Sequence, residues 1–308
     1  MNYTINQLRI FQKVVSMGSV TKAARALHLS QPAVSVQLRN FQNNFDLPLT
    51  EVIGRQLYVT EFGSEISTLV NQILTQLEAI DQQAMTHKGH LSGRLKIATA
   101  STGQYVLPYF LSKFVNDNPG IDLEMDVTNK ENVVSAIKHN EVDICLVSII
   151  PPKLKVNKLD LLPNELYLIG RADSPYDKAS YNTELLAEIP LIYREPGSGT
   201  RRTMEQFIER KRLGIRPRLQ LTSNEAVKQA VLAGLGYSIM PLIGIRNALI
   251  DKQLKVIPVK GLPITTTWSL IWLKDKQLAP VPSALVANLR EEREKIIARS
   301  FSWLAEVK

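Results

Sequence analysis

Along the first sixty residues, apolar positions recur at helical spacing in short stretches. Turn signals at Gly18-Ser19, Ser30-Gln31-Pro32 and Leu47-Pro48 break them up. Between Gly63 and Gly89 there is neither Pro nor Gly, and Ile66, Leu69, Ile73, Leu77, Ile80 and Ala84 fall at three- or four-residue steps. This spacing predicts one long amphipathic helix with a heptad-like seam. Val70 and Leu74 widen its apolar face, so the stripe serves either a second copy of the chain or the helix's own domain. After Ser92-Gly93 the pattern turns to strands alternating with helices. Arg94 to Ala100 reads as a strand and Leu107 to Asn116 as a helix stopped by Asn118-Pro119-Gly120. Ile121, Leu123, Met125 and Val127 alternate with Asp122, Glu124 and Asp126, the period of a strand with one wetter face. A helix from Glu131 to His139 and a strand from Asp143 to Val147 complete a βαβαβ run, which implies a parallel sheet covered by helices.

A second run follows. Glu165 to Gly170 and Leu191 to Tyr193 read as strands, Thr200 to Leu213 as a helix and Arg218 to Thr222 as a strand. Helix Asn224 to Ala233, capped by Ser223, leads into strand Tyr237 to Met240. Strand Thr266 to Leu273 and a helix from Ser283 to about Arg299 return the chain to the first half. The predicted class is α + α/β. Residues 1–63 form a small helical domain and 64–90 a linker helix. Residues 91–308 form a two-lobed α/β domain, lobe I about 91–163 and 266–308, lobe II about 164–265.

Chemistry sharpens this picture. The formal charge is +8, and Arg9, Lys13, Lys22, Arg25, Arg39 and Arg55 outnumber Asp46, Glu51 and Glu61 in residues 1–63. A polyanionic partner is compatible with that excess. Apolar runs stop well short of the roughly 20 residues that cross a bilayer, so no membrane association is expected. Residues Met1 to Arg9 have no export pattern, and a single cysteine, Cys145, forbids an intrachain disulfide, so a cytoplasmic protein is expected. Cys145 falls mid-strand, where core packing accounts for it. His28, His87, His90 and His139 lack metal-ligand spacing, so neither metal nor cofactor is expected. No nucleophile elbow or dinucleotide fingerprint is present; Gly234-Leu-Gly236 follows a helix and leads into a strand, and the chain is read as a non-enzyme.

The stretch from Gly18 to Phe41 carries the most information. Ser19 can cap a helix whose Ala23, Ala24 and Leu27 make a small apolar face that lets a neighbour approach closely. Ser30 can cap the next helix, Pro32 is tolerated in its first turn, and Val34, Leu38 and Phe41 keep one face buried. Gln31, Ser35, Gln37 and Arg39 then point outward, donors and acceptors suited to base edges and phosphates. A helix-turn-helix inserts this second helix, first residues leading, into the major groove.

Ala23-Ala24, Leu27 and Ser30-Gln-Pro-Ala-Val-Ser35 resemble the helix-turn-helix signature of LysR-type transcriptional regulators. The likeness extends through Leu49 to Gly63 as a wing, with Gly54-Arg55 and Thr60-Glu61 in place, and covers essentially the whole chain. It implies a winged helix-turn-helix that binds double-stranded DNA through Thr21, Ser30, Gln31, Pro32, Ser35, Gln37, Arg39 and Arg55. It also implies a homodimer or homotetramer, RNA polymerase as a further partner, and an effector domain similar to periplasmic solute-binding proteins. Two departures stand out: Val36 where many relatives have a polar or basic residue, and Thr50 where an aromatic is usual. The small-molecule effector is expected between the lobes, at Ser101, Thr102, Gln104, Thr128, Ser148, Ser198, Gly199, Thr200, Arg201 and Asn224. The turn Glu195-Pro-Gly-Ser-Gly-Thr-Arg201 either binds an anion or merely caps a helix, and Thr128, Ser148 and Asn224 are equally open to cap or turn roles. Glu195 to Arg201 and Ser223-Asn-Glu-Ala226 look most like the CbbR/RbcR-like subgroup, which regulates carbon dioxide fixation genes and responds to anionic metabolites.

Overall fold

A computed structural model describes residues 3–54, 56–86, 91–152, 154–214 and 217–305. The chain divides into two compact units, residues 1–91 with 138–141, and residues 92–137 with 142–308. In the first, helices α1 (Ile5–Met17), α2 (Val20–Ala26) and α3 (Gln31–Gln42) precede the hairpin β1 (Thr50–Ile53) and β2 (Gln56–Val59) and helix α4 (Glu61–Thr86). Each short helix starts at a cap legible in the sequence. Thr4 and Gln7 form a capping box on α1, and the Ser19 and Ser30 hydroxyls accept from Lys22 N and Ala33 N. Gly18 closes α1 in the left-handed region at φ 57°. Phe11, Val14, Ala23, Ala24, Val34, Leu38, Phe41 and Leu49 are buried together in one core.

Helix α4 begins at Glu61, three residues before the linker helix expected from residue 64, because the Thr60 hydroxyl accepts from Gly63 N at 2.9 Å and donates to Pro48 O at 2.7 Å. Its apolar stripe splits in two. Ile66, Val70 and Leu74 pack on the core, whereas Leu69, Ile73 and Ile80 are 54%, 43% and 65% exposed. Thr50, the second departure from the family pattern, ties the hairpin to α3 by donating its hydroxyl to Gln42 Oε1.

The second unit runs β3 (Ser92–Ala100), a 3-10 turn (Ser101–Tyr105), α5 (Leu107–Asp117), β4 (Gly120–Thr128), α6 (Lys130–Lys138), β5 (Ile144–Val147) and β6 (Val156–Arg171). It continues with α7 (Leu185–Glu188), β7 (Ile192–Arg194), α8 (Gly199–Arg210), β8 (Leu219–Leu221), α9 (Asn224–Leu232) and β9 (Ser238–Pro241). The last elements are α10 (Arg246–Ile250), β10 (Leu254–Ile257), β11 (Ile264–Leu273) and α11 (Pro280–Ser300). Among the described residues, seven strands form one mixed sheet in the order β10-β6-β11-β5-β3-β4, with β9 also on β6. Strand β3 is parallel to β4 and β5, as the βαβαβ reading requires.

The structure departs from the sequence reading at β6, which starts at Val156 rather than Glu165. Pro163 sits inside it opposite Thr267, where a proline ordinarily argues against a strand, and a register shift at Trp268/Ser269 absorbs the irregularity. The short strand β10 was not foreseen. Strands β7 and β8 form a separate parallel pair.

Two outcomes follow from this packing. A methyl group at Gly63 would sit 1.9 Å from Leu49 O. Gly63→Ala therefore destabilises the first unit by about 1–3 kcal/mol, read as a lower thermal midpoint; an unchanged midpoint contradicts this packing. Cys145 lies fully buried beside Val133, Ile137 and Ile271, and burial pushes its thiol up to about 12. Folded protein at pH 8 thus resists iodoacetamide and reacts fully only in denaturant, as mass spectrometry will report.

Candidate nucleic-acid interface and ligand cleft

Helix α3 presents its front end to solvent. Gln31, Pro32 and Arg39 are exposed, Ser35 and Gln37 are half-buried, and Ser30 and Thr21 stand exposed on the approach and on α2. Gln31 Nε2 donates to Ser35 Oγ at 2.9 Å, which holds the carboxamide against the helix with its carbonyl still free to accept. Val36, the first family departure, is 52% exposed on this helix, an apolar group where many relatives have a polar or basic one. Arg55 lies outside the described residues.

In the second unit the expected effector residues sort into three places. Gly199, at the first turn of α8, faces across to the other lobe: a Cβ built there would lie 3.8 Å from Lys130 Cδ and 4.0 Å from Ser148 Oγ. Ser198 caps α8 by accepting from Arg201 N, and Thr200 follows half-buried in the same turn. Second, Asn224 and Thr102 are both buried and meet across the lobes, Asn224 Nδ2 donating to Thr102 Oγ1 at 2.6 Å. Ser101 is half-buried beside them in the 3-10 turn. Third, Gln104 is exposed and lines a smaller cavity with Tyr105 and Arg246.

Two expected ligand contacts are otherwise engaged. Thr128 Oγ1 accepts from Asn132 Nδ2 at 3.0 Å, a turn role. Arg201, an expected effector contact, donates from its guanidinium to Glu205 at 2.6 Å, Arg194 O at 3.0 Å and Gln220 Oε1 at 2.7 Å, and lies over Tyr193. Three of its five donors are engaged inside lobe II, so it braces α8 against β7 and β8.

The cation that sequence reasoning missed is Lys130. Its Nζ is buried and has no hydrogen-bond partner among the described residues. Burial, with the charge of nearby Arg202 adding to it, holds this ammonium below the ordinary lysine range. Lys130 is also the first residue of α6, where the helix dipole disfavours a cation. That placement was a legible signal, since a lysine there gains nothing structurally. The opposing start of α8 supplies free backbone N–H groups for an anion. From Ser148 a cavity of about 450 Å3 continues along Ile150, Thr203, Phe207 and Thr265 to Thr267, a volume suited to a small metabolite. The Lys130 side chain, the start of α8 and the Ser148 hydroxyl lie together at the edge of this cavity, of which Ser148 is also a lining residue. This cleft can hold a small dianion. Among the described residues, no group of His, Cys, Asp and Glu is arranged to hold a metal, and no helix is long and apolar enough to cross a membrane.

Comparison with known proteins agrees with this geometry. Residues 5–64 match the bacterial regulatory helix-turn-helix protein, lysR family, and residues 88–294 match the LysR substrate binding domain. The chain is 37% identical to a RuBisCO operon transcriptional regulator of Allochromatium vinosum, over 97% of this chain and 99% of that one. It is 34% identical to the HTH-type transcriptional activator CmpR of Synechocystis sp., over 97% and 99%. These likenesses bear out the resemblance to the subgroup tied to carbon dioxide fixation. Among solved structures, the CcmR regulatory domain of Synechocystis PCC6803 in complex with 2-PG is 30% identical, with a TM-score of 0.62 over 68% of this chain and 99% of that one. Full-length CbnR with its target DNA shares the fold at 19% identity, with a TM-score of 0.64 over 94% and 99%. A capped, outward-facing recognition helix joined to a two-lobed α/β unit, matched in sequence from end to end, makes this chain a LysR-family transcriptional regulator with an effector-binding domain.

Proposed function

We propose that this regulator reads an inverted-repeat promoter site as a dimer or tetramer, and that a small phosphorylated carboxylic acid of the 2-phosphoglycolate type, bound in the inter-lobe cleft, sets its output. One observation carries the ligand class: the buried Lys130 ammonium, without a hydrogen-bond partner among the described residues, on a side chain whose Cδ lies beside the start of α8. Taking an ammonium out of water without a counter-ion is costly, and a phosphoryl dianion both neutralises it and accepts the α8 N–H groups. The relative whose regulatory domain is in complex with 2-PG supports the same class. The exposed Leu69, Ile73 and Ile80 on α4 supply a seam for a second copy, which pairs two recognition helices over half-sites about 34 Å apart. On the DNA face, Gln31 is the base reader and Val36 packs against a thymine methyl. The protein acts without cofactor or catalysis, in the cytoplasm.

The direct test is a gel shift on DNA from upstream of its own gene, with salt titration and with or without 2-phosphoglycolate. Retention that is sequence-selective at moderate salt and altered by the acid is expected; unselective binding overturns the reading. In the same assay Gln31→Ala costs about 1–3 kcal/mol on the preferred site and relaxes base preference. Unchanged half-site preference removes Gln31 as a reader.

Lys130 makes a second, signed prediction. Its proton is held more weakly in the folded than in the unfolded state, so ligand-free stability rises as pH climbs from neutral toward the ordinary lysine range. Lys130→Met therefore raises the ligand-free melting temperature at pH 7, flattens its rise with pH, and abolishes the stabilisation given by 2-phosphoglycolate. A retained ligand shift in the variant contradicts the site.

A further inference from the structure

The smaller cavity, about 190 Å3, shares no lining residue with the larger one that runs from Ser148, and Lys130 does not line it. It lies where three parts of the second unit meet: Gln104 and Tyr105 of the 3-10 turn after β3, Lys228 on α9, and Arg246 and Asn247 opening α10, with Trp303 closing it. Its electrostatics are unbalanced. Arg246 lies over the Trp303 ring, 5.0 Å from the centroid, and has no carboxylate partner among the described residues. Stacking of this kind leaves the donor edge of the guanidinium free. Lys228 pairs with Glu225 at 2.7 Å, and Glu225 is already shared with the Tyr105 hydroxyl at 3.2 Å and Gln229 at 2.9 Å. Of the two cations lining the cavity, Lys228 thus shares a heavily used carboxylate and Arg246 has none among the described residues.

The place matters as much as the charge. Helix α11 packs on α5, and Phe301 stacks on Phe110 at 5.7 Å within lobe I. Two residues later the chain has crossed over, for Trp303 and Leu304 pack against the lobe II core of Val227, Ala230, Leu242 and Ala248. The cavity sits under this C-terminal strap, with Tyr105 from one lobe and Arg246 from the other on its walls.

We propose that this cavity is a second anion site that takes a small dianion of dicarboxylate or phosphate size. Its charged edge pairs with Arg246 and Lys228, and its occupancy braces the two lobes beneath the strap. The volume admits an ion of this size. Both sites span the same pair of lobes, so an anion here changes the affinity of the Lys130 cleft, and the cleft ligand changes affinity here by the same factor. That coupling rests on the reading of the cleft given above; the existence of the second site does not.

Titration calorimetry on the full chain with two probes, inorganic phosphate and malonate, separates the possibilities. Lys130→Met retains binding of at least one probe, and adding Arg246→Gln weakens that remaining binding at least about tenfold, the loss expected of a charge-assisted hydrogen bond. Arg246 and Asn247 are both exposed, so neither substitution threatens folding, and Asn247→Asp produces the same loss by repulsion. Which probe binds identifies the head group. Binding to Lys130→Met that is indifferent to Arg246→Gln and Asn247→Asp overturns the proposal, as does the absence of binding of either probe to Lys130→Met. If Lys130→Met binds anions like the unmodified chain while Arg246→Gln does not, the second site stands and the cleft reading fails.

Discussion

The effector-binding unit depends on one antiparallel strand pair. Strands β6 and β11 lie side by side from Val156 opposite Leu273 to Leu166 opposite Ile264. One end of this pair is stitched to β5 of the first lobe and the other to β9 and β10 of the second. Backbone ladders of this kind resist stretching but tolerate changes of twist, especially at an irregularity such as the one at Trp268/Ser269. The lobes can thus alter their angle without leaving each other, and the strand ends of both open onto the same cleft.

What fills that cleft follows from which polar groups are already satisfied. Arg194 and Glu195 form a buried two-bonded pair at 2.8 and 2.9 Å, and Arg201 is held by three acceptors, so the charge of each arginine already has a carboxylate beside it. Lys130 differs from both. Its ammonium is buried without an acceptor, at a helix start that repels it and opposite another that attracts anions. A protein tolerates such a local cost where binding relieves it. Closure around an anion then joins Lys130 in one lobe to α8 in the other, while Asn224 and Thr102 already bridge the lobes at 2.6 Å.

Much of this was legible in the sequence because it rests on local rules. The caps at Ser19, Ser30, Ser198 and Ser223 start their helices as their side chains dictate, and the βαβαβ periodicity yields the parallel part of the sheet. What escaped was settled by distant partners. Pro163 hides the first half of β6, because only pairing with β11 makes the segment a strand. The stripe on α4 reads as one seam, yet the core claims Ile66, Val70 and Leu74 and leaves Leu69 and Ile73 outside. Arg201 looked like a ligand fork since a sequence does not reveal that Gln220 and the Arg194 carbonyl converge on it, although its four-residue spacing from Glu205 hinted at an internal pair.

Hydrogen exchange by mass spectrometry on the full chain, with and without saturating 2-phosphoglycolate, tests the central claim most directly. The account predicts slowed exchange of the amides at the start of α8, residues 199–202, and at the start of α6, residues 130–133. Bound ligand that leaves both helix starts unprotected, with slowing confined to other segments, contradicts it.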